Sequence, residues 1–128
     1  MEQALSQAKD GRIHILDEMA KALTGSRDCV KEMVKSYNSR RNLLVEKLKG
    51  INGINLVEPQ GAFYAFPQIT NSEIDSRTFC KLALERVGLV LVPGIAFGDN
   101  SCFRVSCAVS NKNIEKGIRL LSKLMTKL

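Results

Sequence analysis

The sequence predicts an α+β fold in which helices pack on a small, mostly antiparallel sheet. Four segments carry apolar residues at steps of three or four, which is the period of a buried helix face. Between them lie short apolar or alternating runs bounded by glycine, proline and asparagine, which is typical of strands and turns. The segments follow one another as helix, helix, strand, strand, helix, strand, strand, helix. The 128 residues, of which 45% are hydrophobic, suit a single aliphatic core.

The first two segments predict long helices at residues 3–23 and at about 27–49. Gly11 interrupts the loose apolar stripe of the first helix, and Ser26 is a suitable cap for the second. The stripe of the first helix consists of Leu5, Ala8, Ile15, Leu16, Met19, Ala20 and Leu23. The second helix is expected to bury one face, which consists of Val30, Met33, Val34, Tyr37, Leu44, Val45 and Leu48.

Four short runs predict strands, and the remaining periodic segments predict two more helices. The strands are expected at residues 54–57, 62–67, 89–92 and 102–109. After a loop at residues 70–74, Asp75 is a suitable cap for a helix that Gly88 ends. Ser110 caps the last helix. Its inner stripe contains Ile114, Ile118, Leu121, Met125 and Leu128.

Two of these runs carry expectations about burial. In a strand at 62–67, Phe63 and Ala65 face one way, whereas Tyr64 and Phe66 face the other. Aromatic residues on both faces predict a strand that is covered on both sides once its partners are present. The continuous apolar run at 89–92 predicts a buried strand.

The cysteines and the histidine do not have the spacing of a metal site. The cysteines are Cys29, Cys80, Cys102 and Cys107, without a Cys-x-x-Cys pair, and His14 is the single histidine. We expect no metal, and we interpret the cysteines as buried or half-buried free thiols of a cytoplasmic protein. The longest apolar run, at residues 87–97, is too short to cross a membrane, and it contains glycine and proline.

The net charge of +6 is concentrated on two of the predicted helical segments. Residues 24–50 carry seven basic and three acidic groups, and residues 110–128 carry five basic groups and one acidic group. Such faces could attract RNA through their long-range field, so a basic RNA-binding or interaction module is one hypothesis for the function. Few aromatic residues lie among the lysines and arginines, which makes nucleic acid the less favoured partner.

Arg104 has unusual surroundings for an arginine. It lies in the middle of the predicted strand 102–109, and its same-face neighbours Cys102, Ser106 and Ala108 are small. Small neighbours leave room for a planar guanidinium to bind a carboxylate through two parallel hydrogen bonds. The alternative is a solvent-facing arginine on the exposed side of a sheet, and the pattern alone leaves both interpretations open.

A second candidate region begins at Gly61. This glycine stands where a turn is expected, and Phe63 and Tyr64 follow it closely. Tyr64 could present its hydroxyl to a ligand, or it could be a tyrosine of the core. The dipeptide Pro93-Gly94, before Ile95-Ala96-Phe97, is similarly either a turn or the wall of a site.

Three motifs follow one another in the second half of the sequence: Pro-Gln-Gly-Ala-Phe-Tyr at residues 59–64, the segment at residues 87–98, and Phe103-Arg104-Val105-Ser106. They resemble motifs of class I/II aminotransferases of the aspartate aminotransferase type, which depend on pyridoxal phosphate. Residues 59–64 are similar to the family's P-x-G-A-F-Y strand entry. Residues 87–98 resemble its G-V-x-V-x-P-G-x-x-F-G segment, and Phe103-Arg104-Val105-Ser106 resembles a strand in which an arginine stands between two apolar residues. In order and spacing, residues 22–128 resemble the family's C-terminal small domain.

The resemblance implies an aminotransferase small-domain fold and a role for Arg104. In the family this arginine binds the α-carboxylate of the amino-acid substrate, and the positions of Gly61, Phe63 and Tyr64 lie near the substrate entrance. The lysine that holds pyridoxal phosphate belongs to the family's large domain, for which this sequence shows no matching segment. We therefore expect amino-acid or 2-oxo-acid binding only together with a large domain, no cofactor bound to this chain, and no transamination by it alone.

Residues 4–19 depart from the aminotransferase pattern. They resemble a helical stretch of bacterial polynucleotide phosphorylase, with the pattern A-L-x-Q-A-K-x-G-R-L-H-I-L. This resemblance implies a chimera, in which residues 1–23 are a foreign helical segment and residues 24–128 are the small domain; a chance likeness between helices is the alternative. Apolar surface that a large domain would bury also predicts self-association.

Overall fold

The computed structural model of the chain describes residues 2–70 and 73–128, with side chains from residue 7 onward. Residues 71 and 72 of the predicted loop, and the side chain of Leu5, lie outside the described residues. The elements are α1 (Glu2–Thr24), α2 (Asp28–Lys49), β1 (Ile54–Asn55), β2 (Tyr64–Ala65), β3 (Gln68–Ile69), α3 (Ser76–Val87), β4 (Val92–Pro93), a 3₁₀ helix (Gly94–Phe97), β5 (Phe103–Ser106) and α4 (Asn111–Met125). The predicted α+β fold is confirmed, but only β2 lies within the predicted strand at 62–67, and β3 follows it as a separate strand that the sequence does not predict.

Strand β5 is the centre of a three-stranded antiparallel sheet, with β2 on one side and β4 on the other. Tyr64 of β2 lies opposite Ser106, and Val92 of β4 lies opposite Arg104. The short strands β1 and β3 form an antiparallel pair of their own. This arrangement confirms the prediction of small, antiparallel sheets, and it places Arg104 on the central strand.

One face of β5 is part of the core of the compact unit formed by residues 34–128. Phe103 and Cys107 are buried on this face, whereas Arg104 and Ser106 on the opposite face are half-buried. The Phe103 ring packs against Phe79 of α3, with 5.0 Å between the ring centroids. The predicted alternation is therefore confirmed for these four residues, but Cys102, expected on the face of Arg104, is buried as well. Other core residues are Leu44, Leu48, Ile51, Ala65, Ile69, Ala83, Leu91, Ile114, Leu121 and Leu124.

Helices α3 and α4 begin at capping residues that the sequence predicts. The Asp75 carboxylate accepts a 2.7 Å hydrogen bond from the amide of Thr78, and Ser110 accepts one of 3.3 Å from the amide of Asn113. Each bond satisfies one of the free amides in the first turn of a helix. Gly88 ends α3 at φ 65°, in the left-handed region that a residue without a Cβ adopts with little strain. The three predicted helix ends are confirmed.

The predicted buried face of α2 is wrong for the N-terminal half of the helix. Val30, Met33 and Val34 are 45%, 52% and 50% exposed, whereas Leu44 and Leu48 are buried. Periodicity identifies the residues that share a face, but it does not show how far along that face a core extends. The expectation of a buried face therefore holds only for the part of α2 near Leu44.

The predicted strand at 89–92 is also shorter than expected. Only Val92 of this run lies in a strand, Leu91 is buried, and Val90 is 77% exposed. A continuous apolar run does not show which of its side chains point inward when few of its residues pair with a neighbour. Val57 and Leu128, at the ends of predicted apolar stretches, are exposed as well.

Residues 1–33 form a separate compact unit. Every side chain described in it, from Gln7 to Met33, is exposed, including the apolar stripe of α1. Cys29 is among them, so the expectation of buried or half-buried thiols is wrong for Cys29, while the other three cysteines are buried and free. The two units differ in packing and divide between residues 33 and 34. They do not test the predicted domain boundary between residues 23 and 24, which stays a prediction.

Candidate functional site

The candidate site is built around the guanidinium of Arg104 in the middle of β5. Its central carbon lies 4.4 Å from the centre of the Tyr64 ring and 4.7 Å from that of the Phe97 ring. Among the residues that the structure describes, the guanidinium of Arg104 has no ion-pair partner and no side-chain hydrogen bond. The guanidinium is therefore held by aromatic rings, while its N–H groups stay available to an acceptor.

The backbone of the sheet fixes the position of Arg104. Antiparallel neighbours flank β5 on both sides, with Val92 directly opposite Arg104. The hydroxyl of Ser106 donates a 3.3 Å hydrogen bond to the carbonyl of Phe63, which joins the end of β5 to the start of β2. A side chain anchored on a central strand points in a better-defined direction than one on a loop.

A tight loop after β4 carries Phe97 to Arg104. The amide of Gly94 donates a 2.8 Å hydrogen bond to the carbonyl of Cys102, and the amide of Asp99 donates one of 3.2 Å to the carbonyl of Gly94. A Cβ at position 94 would collide with both the Cys102 and the Asp99 carbonyl oxygens, so this approach requires glycine. The Pro93-Gly94 segment is thus a turn, and through Phe97 it also forms a wall of the candidate site.

Aromatic residues extend along the surface from Arg104 in two directions. Phe66 meets Phe97 edge-on, with 5.9 Å between centroids at an interplanar angle of 90°. The centroid of the Phe63 ring lies 4.8 Å from that of Tyr64 and 5.8 Å from that of Tyr37 in α2. Edge-on and tilted pairs at these distances are favourable arrangements of aromatic rings. Phe63, Tyr64 and Phe66 are 43%, 39% and 37% exposed. The strand is therefore not covered on both faces within this chain, and the expected cover would have to come from partners.

The sequence-predicted site residues are only partly brought together. Tyr64 contacts Arg104, and Phe63 contacts Tyr64. Gly61 lies in an exposed loop, and apart from its two chain neighbours no described residue has an atom within 4 Å of the place where its Cβ would be. The left-handed residue of this loop is Ala62, at φ 60°, so the turn does not depend on a left-handed glycine at 61. The sequence interpretation missed the contact of Phe97 with Arg104, although the Phe97-Gly98 motif pointed to this segment.

Beside the aromatic residues lies a shallow depression that Tyr64, Phe66, Asp99 and Cys102 help to line. The Asp99 carboxylate accepts hydrogen bonds from the hydroxyl and the amide of Ser101, at 2.7 and 2.8 Å, and these bonds lower its pKa. Burial raises the pKa of the Cys102 thiol, which donates to Asp99 at 3.3 Å. A protonated thiol is a poor nucleophile, so this cluster stabilises the loop rather than providing a reactive cysteine.

The described lysines differ in their surroundings from a lysine that holds a cofactor as a Schiff base. Every lysine of the chain is exposed, and five of them form ion pairs with glutamate or aspartate at 2.7–3.9 Å. A Schiff-base lysine is commonly desolvated in a pocket, whereas the lysine side chains of this chain are exposed. In the described part of the chain, no three His, Cys, Asp or Glu side chains are grouped as metal ligands, and no helix is long and apolar enough to span a membrane.

Comparison with known proteins gives consistent matches. The family model for aminotransferase class I and II matches residues 13–121. The aspartate aminotransferase of Pinus pinaster is 39% identical over 111 residues, which cover 73% of this chain and 23% of that protein. The aspartate aminotransferase of Pyrococcus horikoshii is 38% identical over 98 residues, which cover 75% of this chain and 25% of that protein. The crystal structure of the aromatic aminotransferase from Pyrococcus horikoshii matches with a TM-score of 0.79 at 34% identity, covering 84% of this chain and 30% of that one.

The fold is that of a domain found in aminotransferases. The chain belongs to the class I and II aminotransferase family, whose members depend on pyridoxal phosphate. It spans about a quarter of the length of the curated relatives named above. The family match begins at residue 13, inside the segment that resembles polynucleotide phosphorylase, and a chimeric origin of that segment stays a prediction.

Proposed function

We propose that residues 24–128 are the small domain of a pyridoxal-phosphate-dependent aminotransferase and that Arg104 binds the α-carboxylate of its amino-acid or 2-oxo-acid substrate. The surroundings of the Arg104 guanidinium are the observation that supports this proposal. Its guanidinium is half-buried, lies beside two aromatic rings, and has no carboxylate partner among the described residues. A guanidinium has five N–H donors in a fixed plane, and a carboxylate can accept from two of them at once.

Binding the carboxylate would orient the reacting part of the substrate. The carboxylate is bonded directly to Cα, the atom at which an aminotransferase exchanges the amino group. A bidentate contact with an arginine anchored on a central strand therefore restricts both the position and the rotation of Cα. Tyr64 supports this contact through its ring, and Phe63 lies behind Tyr64 at the same edge of the sheet.

The cofactor belongs, in this proposal, to another part of the complete enzyme. Pyridoxal phosphate supplies an electron sink when it is bound. The exposed lysines of this chain do not fit the Schiff base that holds it. Complete substrate binding is expected only together with a large domain, whereas the chain alone is expected to retain a weak carboxylate contact at Arg104, to form no stable adduct with the cofactor, and to catalyse no transamination. The exposed loop at Gly61 is assigned to the substrate entrance because it precedes Phe63 and Tyr64.

The proposal is tested by an NMR titration of the chain carrying ¹⁵N-labelled arginine. Pyruvate is added at constant ionic strength, with chloride as the reference anion. We expect the Nε–H resonance of Arg104 to move with pyruvate and to move little with chloride, since the bound anion accepts directly from the guanidinium. Arg119, which is exposed on α4, serves as the internal control. A shift of Arg104 no larger than that of Arg119 would show that the proposed carboxylate site is wrong.

A further inference from the structure

We propose that Phe97 is a positioning residue that holds the guanidinium of Arg104 in the orientation needed for a carboxylate. This inference rests on the proposed role of Arg104 in substrate binding. Phe97 lies in the loop after β4 and forms one wall of the candidate site. The Phe97 ring centre lies 4.7 Å from the guanidinium carbon, which is within the range of a cation–π contact.

The two rings beside Arg104 come from opposite edges of its strand. Tyr64 belongs to β2, and Phe97 follows β4, whereas Arg104 lies on the strand between them. A long, flexible side chain on an open sheet face would otherwise have several rotamers. Contact with a ring on each side reduces this freedom before a ligand arrives, and such preorganisation lowers the entropic cost of binding.

Phe97 is itself held in place, although its side chain is 50% exposed. Its backbone belongs to the 3₁₀ helix that starts at Gly94, where the close approach to the Cys102 carbonyl fixes the loop. The amide of Gly98, at φ 90°, donates to the carbonyl of Ile95 and ends this turn. Phe66 supports the ring edge-on. An exposed phenylalanine with this much support is better explained by its contact with Arg104 than by burial in a core.

A guanidinium that lies over an aromatic ring still has its N–H groups at its edge. The ring attracts the cation through the electrons of its face, and it offers no acceptor that would compete for the N–H groups. A carboxylate that approaches in the guanidinium plane therefore finds two parallel donors. The two rings also shield part of the guanidinium from water, which strengthens the electrostatic attraction at the shielded side.

The test compares Phe97→Leu with Phe97→Tyr in the labelled chain, with Val90→Ala as a matched control. Val90 is 77% exposed and lies before β4, so its truncation removes surface apolar atoms without touching Arg104. In Phe97→Leu we expect the ring-current shift of the Arg104 side-chain protons to decrease and the pyruvate affinity to fall by about two- to fivefold, as for an exposed cation–π contact. Phe97→Tyr should restore both values, because tyrosine retains a ring. Thermal unfolding of each variant establishes that the fold is intact.

The possible outcomes separate this inference from the proposed function. If the unchanged chain binds pyruvate at Arg104 and Phe97→Leu binds it equally well with an unchanged Arg104 spectrum, the inference about Phe97 is wrong and the proposed function stands. If the affinity of Phe97→Tyr falls as far as that of Phe97→Leu, the ring is not the reason for the effect, and the inference is wrong. If the unchanged chain shows no response at Arg104, both proposals are wrong.

Discussion

The amide of Gly94 donates a 2.8 Å hydrogen bond to the carbonyl of Cys102, and this contact leaves no room for a side chain at position 94. It joins the start of the 3₁₀ helix to the residue before β5. The loop that carries Phe97 and the strand that carries Arg104 are therefore fixed relative to each other. The position of the aromatic wall depends on a backbone contact that only glycine allows.

Gly94→Ala should destabilise the chain by about 2–3 kcal/mol, because the new methyl group would force two backbone carbonyls apart. Urea unfolding followed by circular dichroism measures the change. Gly61→Ala is the matched control, since its Cβ would enter open space and should change the unfolding free energy by less than about 0.5 kcal/mol. Equal stability of the two variants would contradict the close approach at Gly94.

Asp75 should make the stability of the chain depend on pH at the acidic end. Hydrogen bonds from Thr78 lower the pKa of Asp75 below its ordinary value of 3.8. A carboxyl whose pKa is lower in the folded chain binds protons more readily when unfolded, so its contribution is present above 3.8 and is lost as the pH falls through the lowered pKa. Asp75→Asn keeps a capping oxygen but cannot titrate.

The unfolding free energies of the unchanged chain and of Asp75→Asn should therefore converge as the pH is lowered from about 6 to about 3. Chemical unfolding at a series of pH values measures the difference. Asp17→Asn, an exposed change on α1, controls for the general effect of removing a negative charge. A difference for Asp75→Asn that stays constant over the whole range would show that the charge of the cap contributes nothing.

The exposed apolar stripe of α1 should cause self-association. Leu16, Met19 and Leu23 are 62%, 55% and 67% exposed on this helix. Contiguous apolar surface in water favours association, because association removes it from solvent. Size-exclusion chromatography with light scattering should show a mass that rises with protein concentration, and replacing Leu16 and Leu23 by glutamate should lower it. A strict monomer at every concentration would refute this prediction, and Lys9→Glu controls for the added charge.

The sequence predicts the elements that depend on local chemistry. Asp75, Gly88 and Ser110 mark helix ends because capping and left-handed turns involve only neighbouring residues. The alternation from Phe103 to Cys107 identifies the two faces of β5, although it does not predict that the preceding Cys102 is buried. The exposure of Val30 and Met33 could not be predicted, since it depends on where the core ends and not on periodicity.

The contact between Arg104 and Phe97 could not be predicted from residue patterns. It depends on the register of β4 against β5, which places Val92 opposite Arg104. It also depends on the tight loop at Gly94. Long-range register is set by the packing of the whole sheet, and a short strand such as β4 contains too few residues to specify it. The sequence contains a recognisable motif at Phe97-Gly98, but it does not show that Phe97 contacts Arg104.

In the proposed function, this chain contributes substrate-carboxylate binding and leaves the cofactor chemistry to another part of the enzyme. The most direct measurement is a pyridoxal phosphate titration of the purified chain, followed by desalting and addition of an amino acid, with Schiff-base absorbance as the signal. Because every lysine is exposed, we expect no adduct that survives desalting and responds to the amino acid. A stable adduct that responds to the amino acid would show that a lysine of this chain holds the cofactor, and it would contradict the proposed division of roles between this chain and the rest of the enzyme.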